Sequence, residues 1–184
     1  PDLAIPGFRR TGVGVERIEW TYVADPRERA QALRSGEVHC VHGIAYEDVE
    51  ELSEDSRFVV YDKGQASNMY LSLNWERVDL GFDDQDTRRA LSLAIDREEL
   101  VRKALLGHGA ATWGPLPPGS EHYDASVDEG GRHDPALARR RLARLGWIED
   151  GDGIRSRNGI RLSFECAVQR DPVFEAVAAL VSQQ

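Results

Sequence analysis

The chain is poor in cysteine, in positive charge and in long apolar runs, and each shortage narrows its possible chemistry. Its two cysteines, Cys40 and Cys166, lie far apart in apolar, strand-like stretches. They are read as buried free thiols rather than a disulfide. Acidic residues outnumber basic ones by 32 to 23, for a net charge of −9. That balance argues against nucleic acid as a partner, because phosphates demand a basic footprint. The one basic cluster, Arg139, Arg140, Arg141 and Arg144, falls on an expected helix and reads as a solvated face. No apolar run approaches the roughly 18 residues needed to span a bilayer. No signal peptide is visible, and the chain starts at Pro1 and stops at Gln184 within a helical pattern. It is therefore expected to be a piece of a longer protein, and missing targeting segments carry no information about location.

Local catalytic spacings are missing too. There is no Gly-x-Ser-x-Gly elbow, no phosphate loop and no His-Glu-x-x-His. The run from Gly107 to Thr112 (GHGAAT) follows a helix rather than a strand, and Thr112 stands where a dinucleotide fingerprint needs its third glycine. On a strand His39 points away from Cys40 and His42, so these three do not converge on one metal ion. Asp150 to Gly153 starts like a calcium loop, but Ile154 occupies the next donor position and a hairpin turn is the better reading.

What is present is ordinary globular material, 41% hydrophobic and 30% charged. Residues 1–14 are an irregular lead-in. Val15 to Val23 alternates like a strand. Asp25–Pro26 opens a helix that Gly36 closes. Val38 to Val41 reads as a strand, Tyr46 to Leu52 as a helix and Phe58 to Tyr61 as a strand. Ser67 to Trp75 is the next strand, with Met69, Leu71 and Leu73 on one face and Asn68, Tyr70, Ser72 and Asn74 on the other. This order indicates a mixed α/β architecture. Val78 to Phe82 is a loop, as is Glu121 to Arg132. Asp134–Pro135 starts a helix with Leu137, Ala138, Leu142 and Leu145 inward and Gly146 as its cap. Turns at Asp150–Gly153 and Asn158–Gly159 flank short β segments, Ile154–Arg155 and Ile160 to Ala167. Asp171–Pro172 opens the last helix. A domain boundary is placed near Trp75, giving segments 1–74 and 75–184.

The organising stretch is Thr87 to Gly119. Ala90, Leu91, Ala94 and Ile95 make one apolar helical face. Asp96 and Glu99 form a capping-box pattern that starts a second helix, with Leu100, Val101, Ala104 and Leu105 inward. Gly107 ends it in a left-handed cap, and Leu116, Pro117 and Pro118 leave in an extended segment.

This run, RRALSLAIDREELVRKALLGHGAATWGPLPPG, resembles the extracellular solute-binding proteins of family 5, the oligopeptide- and dipeptide-binding group that serves ABC importers. Arg89-Ala90-Leu91, Ala94 to Arg97, Gly107 and Pro117–Pro118 carry the likeness. ALRSGEVH near Leu33, NMYLSLN at Asn68 to Asn74, and DPALARRRLARLGW with DGDGIRSRNGIRLSFE after Asp134 follow in the same order. His39 stands where the family usually has an acid. The resemblance implies a two-lobed clamshell of the periplasmic-binding-protein kind, only partly present here. Segment 1–74 would then end the first lobe's α/β part in a hinge strand, and 75–184 would begin the second lobe. It further implies binding of a peptide or other small solute, delivery to the membrane permease of an ABC importer, and no enzymatic activity or cofactor. The expected setting is extracytoplasmic, periplasmic or lipid-anchored at the cell surface, and the expected state is monomeric. The start of the crossing strand (Asn68, Met69, Tyr70) and the glycine-rich corner (His108, Thr112, Trp113) are the expected ligand-binding residues. Aromatic walls suit such a cleft, because they cover a solute's apolar parts while polar edges bond its backbone. A cytoplasmic sensor domain attached to a transcriptional regulator is the alternative.

Overall fold

The first helix of the chain is set by short-range capping. In the computed structural model, which describes residues 16–61, 68–118 and 120–184, α1 (Pro26–Ser35) starts where the Asp25 carboxylate accepts from the Arg27 N–H at 2.8 Å. Gly36 stops it at φ 78°, a left-handed value that glycine adopts without strain. The α1 residue Arg29 donates to the carbonyls of Val23 and Ala24 at 2.7 and 3.0 Å, and also to that of Gly43. The guanidinium of Arg34 bridges Asp48 and Glu51 on α2 (Tyr46–Glu54), at 2.8 and 3.0 Å. Contacts divide the chain into two compact units, one ending at Glu54 and one running from Asp55 to Gln184.

The second unit is built on a helix pair. A single 3-10 turn, Val78–Leu80, leads into α3 (Gln85–Ala94), which is followed by α4 (Arg97–Ala104), a short α5 (Ser126–Glu129) and α6 (Pro135–Arg144). A small antiparallel meander follows, β1 (Ile148–Glu149), β2 (Arg155–Arg157) and β3 (Ile160–Arg161), and then α7 (Pro172–Val181). Its two turns fall where the sequence placed them. At the second, Asn158 and Gly159 have φ of 53° and 76°, the positive pair that an Asn-Gly hairpin turn requires.

The core lies where α3 meets α6. Ala90, Leu142 and Trp147 are buried together, with Leu145 and Leu162 packed against them. Trp147 is fully buried, and the guanidinium carbon of Arg157 lies 4.4 Å from its ring centroid. Asp134 caps α6 through the Leu137 N–H at 2.8 Å, while its own N–H donates to the Leu93 carbonyl at 2.9 Å. One residue thus starts α6 and ties it to the end of α3. The buried stripe of α3 is Thr87, Ala90 and Leu93, one position around from the expected face, because α6 packs on that side. Thr87 is tolerated there because its hydroxyl bonds the Asp84 carboxylate at 3.0 Å.

Several expectations need correction. The described parts of Val15 to Val23, Val38 to Val41, Phe58 to Tyr61 and Ser67 to Trp75 form no strand ladder. Alternation sets which side chains share a face, but a strand also needs a partner to take its backbone N–H and C=O groups. Without one, Trp20, Tyr22, Tyr61 and Tyr70 are more than 80% exposed. Cys40 and Cys166 are free but exposed rather than buried, since the stretches that hold them are not built into a sheet. The helical turn α5 interrupts the expected loop, and of Ile160 to Ala167 only the first two residues pair. Residues 1–14 lie outside the described residues.

Two outcomes follow. Trp147→Ala should cost about 3–5 kcal/mol of stability in urea denaturation, the usual range for emptying a large aromatic site. Hydrogen bonds from the Arg57 side chain and backbone hold the Asp55 carboxyl down at about 2. A lowered carboxylate contributes stability above its unfolded pKa, and this is lost as pH falls through the folded value. Carbon-13 NMR should therefore show Asp55 titrating near 2, and Arg57→Ala should raise it part of the way toward the usual carboxylate range, because the backbone N–H of residue 57 still donates to it.

Candidate functional site

The α3–α4 junction, the glycine-rich corner and the entry to α6 converge on one place. Asp96 is its hub. One carboxylate oxygen accepts from the Glu99 N–H at 2.9 Å, and the other faces His133 Nδ1 at 3.5 Å. The reciprocal arm of the expected capping box does not form. The Asp96 N–H donates to Gln184 Oε1 at 2.8 Å, while the Glu99 carboxylate accepts from Lys103 Nζ at 2.6 Å and Gln184 Nε2 at 3.2 Å. The side-chain amide of Gln184, just beyond α7, thus takes over what Glu99 was expected to do. The hydrogen bond from Lys103 is the main reason the Glu99 carboxyl sits below its ordinary pKa. Arg97 turns back onto the end of α3, donating to the Ser92 carbonyl at 2.9 Å and hydroxyl at 2.8 Å. Burial lowers the pKa of its guanidinium.

The corner leaves α4 through two left-handed residues, Leu106 at φ 50° and Gly107 at φ 89°. The Gly107 N–H reaches the Val101 carbonyl at 3.0 Å and ends the helix. Short polar side chains then stitch the following turn. The Asn68 amide donates to the Pro115 carbonyl at 2.7 Å, and the Thr112 hydroxyl donates toward the carbonyls of Gly114 and Leu116 at 3.4 and 3.3 Å. Trp113 is half-buried. Its Nε1 donor is sealed from solvent without an acceptor, an arrangement that costs about 1–3 kcal/mol. Gly131 packs so closely that a Cβ there would lie 2.8 Å from Trp113 Cβ. Arg132 stands over the indole, 5.7 Å from the ring centroid. Trp113, Asp96, Arg97, Glu98, Arg132 and His133 line an open depression of about 270 Å³.

Of the six residues expected to bind ligand, Asn68, Thr112 and Trp113 meet at the corner. Asn68 and Thr112 direct their polar groups to backbone carbonyls and so shape the turn. Met69 and Tyr70 continue outward, with Tyr70 81% exposed. His108 is half-buried at the start of the corner, its backbone N–H bonded to the Leu105 carbonyl at 2.8 Å. Only Trp113 of the six lines the depression. Glu98, Arg132 and His133 were missed by sequence reasoning. Arg132 and His133 precede a clear Asp-Pro helix start, which fixes where α6 begins but not what it approaches.

This arrangement of helix pair, corner, capped helix and meander belongs to a two-lobed solute-binding fold, of which the chain holds a part. A model of the bacterial extracellular solute-binding proteins, family 5 Middle, matches residues 6–184, and the chain belongs to that family. The oligopeptide-binding protein AppA of Bacillus subtilis is 32% identical over 175 residues, covering 92% of this chain and 31% of AppA. The glutathione-binding protein GsiB of Pectobacterium atrosepticum is 29% identical over 143 residues, covering 77% of this chain and 27% of that protein. Among solved structures, that of AppA from Bacillus subtilis in complex with a nonapeptide superposes with a TM-score of 0.71 at 24% identity, covering 88% of this chain and 32% of that one. NikA from Brucella suis in complex with Fe(III)-EDTA gives 0.65 at 23% identity, covering 88% and 33%. The chain spans about a third of the length of these relatives.

Gly131→Ala should push Trp113 from its seat at a cost of about 1–3 kcal/mol, typical of overpacking. Urea denaturation and the Trp113 indole N–H signal in NMR check this. An unchanged signal would mean that the contact yields freely.

Proposed function

We propose that the protein carrying this chain binds a peptide or similar small solute outside the cytoplasm and presents it to the permease of an ABC importer. Membership of the extracellular solute-binding family over residues 6–184 carries this reading. The likeness to relatives named for oligopeptide and glutathione binding supports a peptide-like solute. No helix among the described residues is long and apolar enough to cross a membrane. The family is one of binding proteins, and the reading is of a monomeric receptor without enzymatic activity, held in the periplasm or at the cell surface by a lipid. Family membership favours this over a cytoplasmic regulator.

Within this reading, segments 1–74 and 75–184 contribute to different lobes that close over the solute by hinge motion. Main-chain hydrogen bonds would hold a peptide much like an added strand, with side-chain pockets left loose and wet. Asn68, Met69, Tyr70, His108, Thr112 and Trp113 form this chain's share of the wall. Asn68 and Thr112 hold the corner in shape, and Trp113 and Tyr70 offer aromatic surface.

Native mass spectrometry of the intact protein after exposure to a tryptic digest of casein should show retained peptides. Trp113→Ala should weaken their binding by about tenfold, near 1.4 kcal/mol, in calorimetry. Failure of the intact protein to retain any peptide would overturn the solute class, and undiminished affinity would remove Trp113 from the wall.

A further inference from the structure

The depression beside Trp113 has a chemistry of its own. Its volume of about 270 Å³ falls just below the roughly 300–1,000 Å³ typical of drug-sized ligands, which fits a small solute or one end of a larger one. Its lining is balanced in charge, with the carboxylates of Asp96 and Glu98 against the guanidiniums of Arg97 and Arg132, and His133 beside them. These groups differ in what they already hold. Asp96 caps α4 and faces His133. Arg97 gives its N–H groups to Ser92. Glu98, by contrast, is exposed and forms no ion pair or hydrogen bond among the described residues. Arg132 is exposed, with its guanidinium carbon 5.7 Å from the Trp113 ring centroid, and it forms no ion pair among the described residues, so its planar fork is open to a carboxylate. The indole beneath supplies an apolar wall whose own N–H lacks an acceptor. The other buried indole donor without an acceptor, that of Trp147, lies in the closed core and borders no such cavity.

The geometry points to a subsite for a zwitterionic group, an ammonium and a carboxylate on neighbouring atoms as in a free α-amino acid. Arg132 holds the carboxylate, Glu98 receives the ammonium, and Trp113 covers the side chain. A site with one charge sign would favour a simple anion or cation. Two opposite charges without ion-pair partners among the described residues, lining one depression with an aromatic side chain, favour a molecule that carries both. This deepens the solute-binding reading, and rests on it only in taking the Trp113 wall as solute-facing.

The test uses the intact nitrogen-15-labelled protein and three probes: L-leucine, N-acetyl-L-leucine, which lacks the ammonium, and L-leucinamide, which lacks the carboxylate. L-leucine should shift the Trp113 Nε1–H and Arg132 Nε–H signals, with each blocked probe binding about tenfold more weakly, the loss of one charged contact. Arg132→Gln should abolish the preference for leucine over leucinamide. Glu98→Gln should abolish the preference over N-acetyl-leucine. Glu98→Gln changes charge alone, Arg132→Gln also removes the guanidinium over Trp113, and the backbone spectrum reports whether each variant keeps its fold. No leucine response at Trp113, or equal responses to all three probes, overturns the proposal. Peptide retention measured on the same samples separates the two readings. Peptide binding without a leucine response sinks the subsite alone, whereas a leucine response without peptide binding supports the subsite and sinks the peptide reading.

Discussion

Where α3 and α6 meet, Ala90, Leu142 and Trp147 exclude water, and the positions of the junction, the corner and the meander follow from that contact. Hydrophobic burial is strong but carries no direction. Direction comes from Asp134, whose carboxylate starts α6 while its N–H bonds the last turn of α3. That pair of bonds places Arg132 and His133 beside the start of α4. Behind it, Arg157 lies over Trp147 and carries β2 against the core. Gly81 comes so near that a Cβ there would stand 3.0 Å from the Arg157 guanidinium.

The corner depends on a second, polar layer. Its backbone turns away from helical space at Leu106 and Gly107, and the next carbonyls would be left without partners. Asn68 and Thr112 supply them. A glycine-rich turn has little side-chain packing to hold it, so these few hydrogen bonds and the close approach of Gly131 decide where Trp113 stands. Turn-shaping and cavity-lining positions are thereby divided between neighbours in sequence.

Much of the helical architecture was legible in advance. Asp-Pro starts at 25–26, 134–135 and 171–172, the Asp96 cap, the left-handed glycines and the Asn-Gly turn all act within a few residues, so their sequence signals coincide with their physical causes. The strands were not legible in the same way. The alternation around Trp20 and Tyr70 describes a chain ready to pair, but pairing depends on a second segment that the pattern does not name. The buried reading of Cys40 and Cys166 failed for the same reason, since it assumed a sheet around them. Of the residues that line the depression, Trp113 had been singled out in advance as part of the glycine-rich corner. Glu98 and Arg132 were not, because nothing near them in sequence marks a distant neighbour.

By itself the sequence determined where helices begin and end, where the chain turns sharply, and which family it belongs to, because each rests on short-range hydrogen bonding or on several ordered motifs. Only the tertiary structure decided that Gln184 takes the place of Glu99 in the cap, that Leu93 rather than Leu91 enters the core, and that Trp113, Arg132 and Glu98 share one cavity. Those outcomes join residues far apart in the chain. Packing and charge act through space, and no local pattern of residues encodes the distance at which they meet.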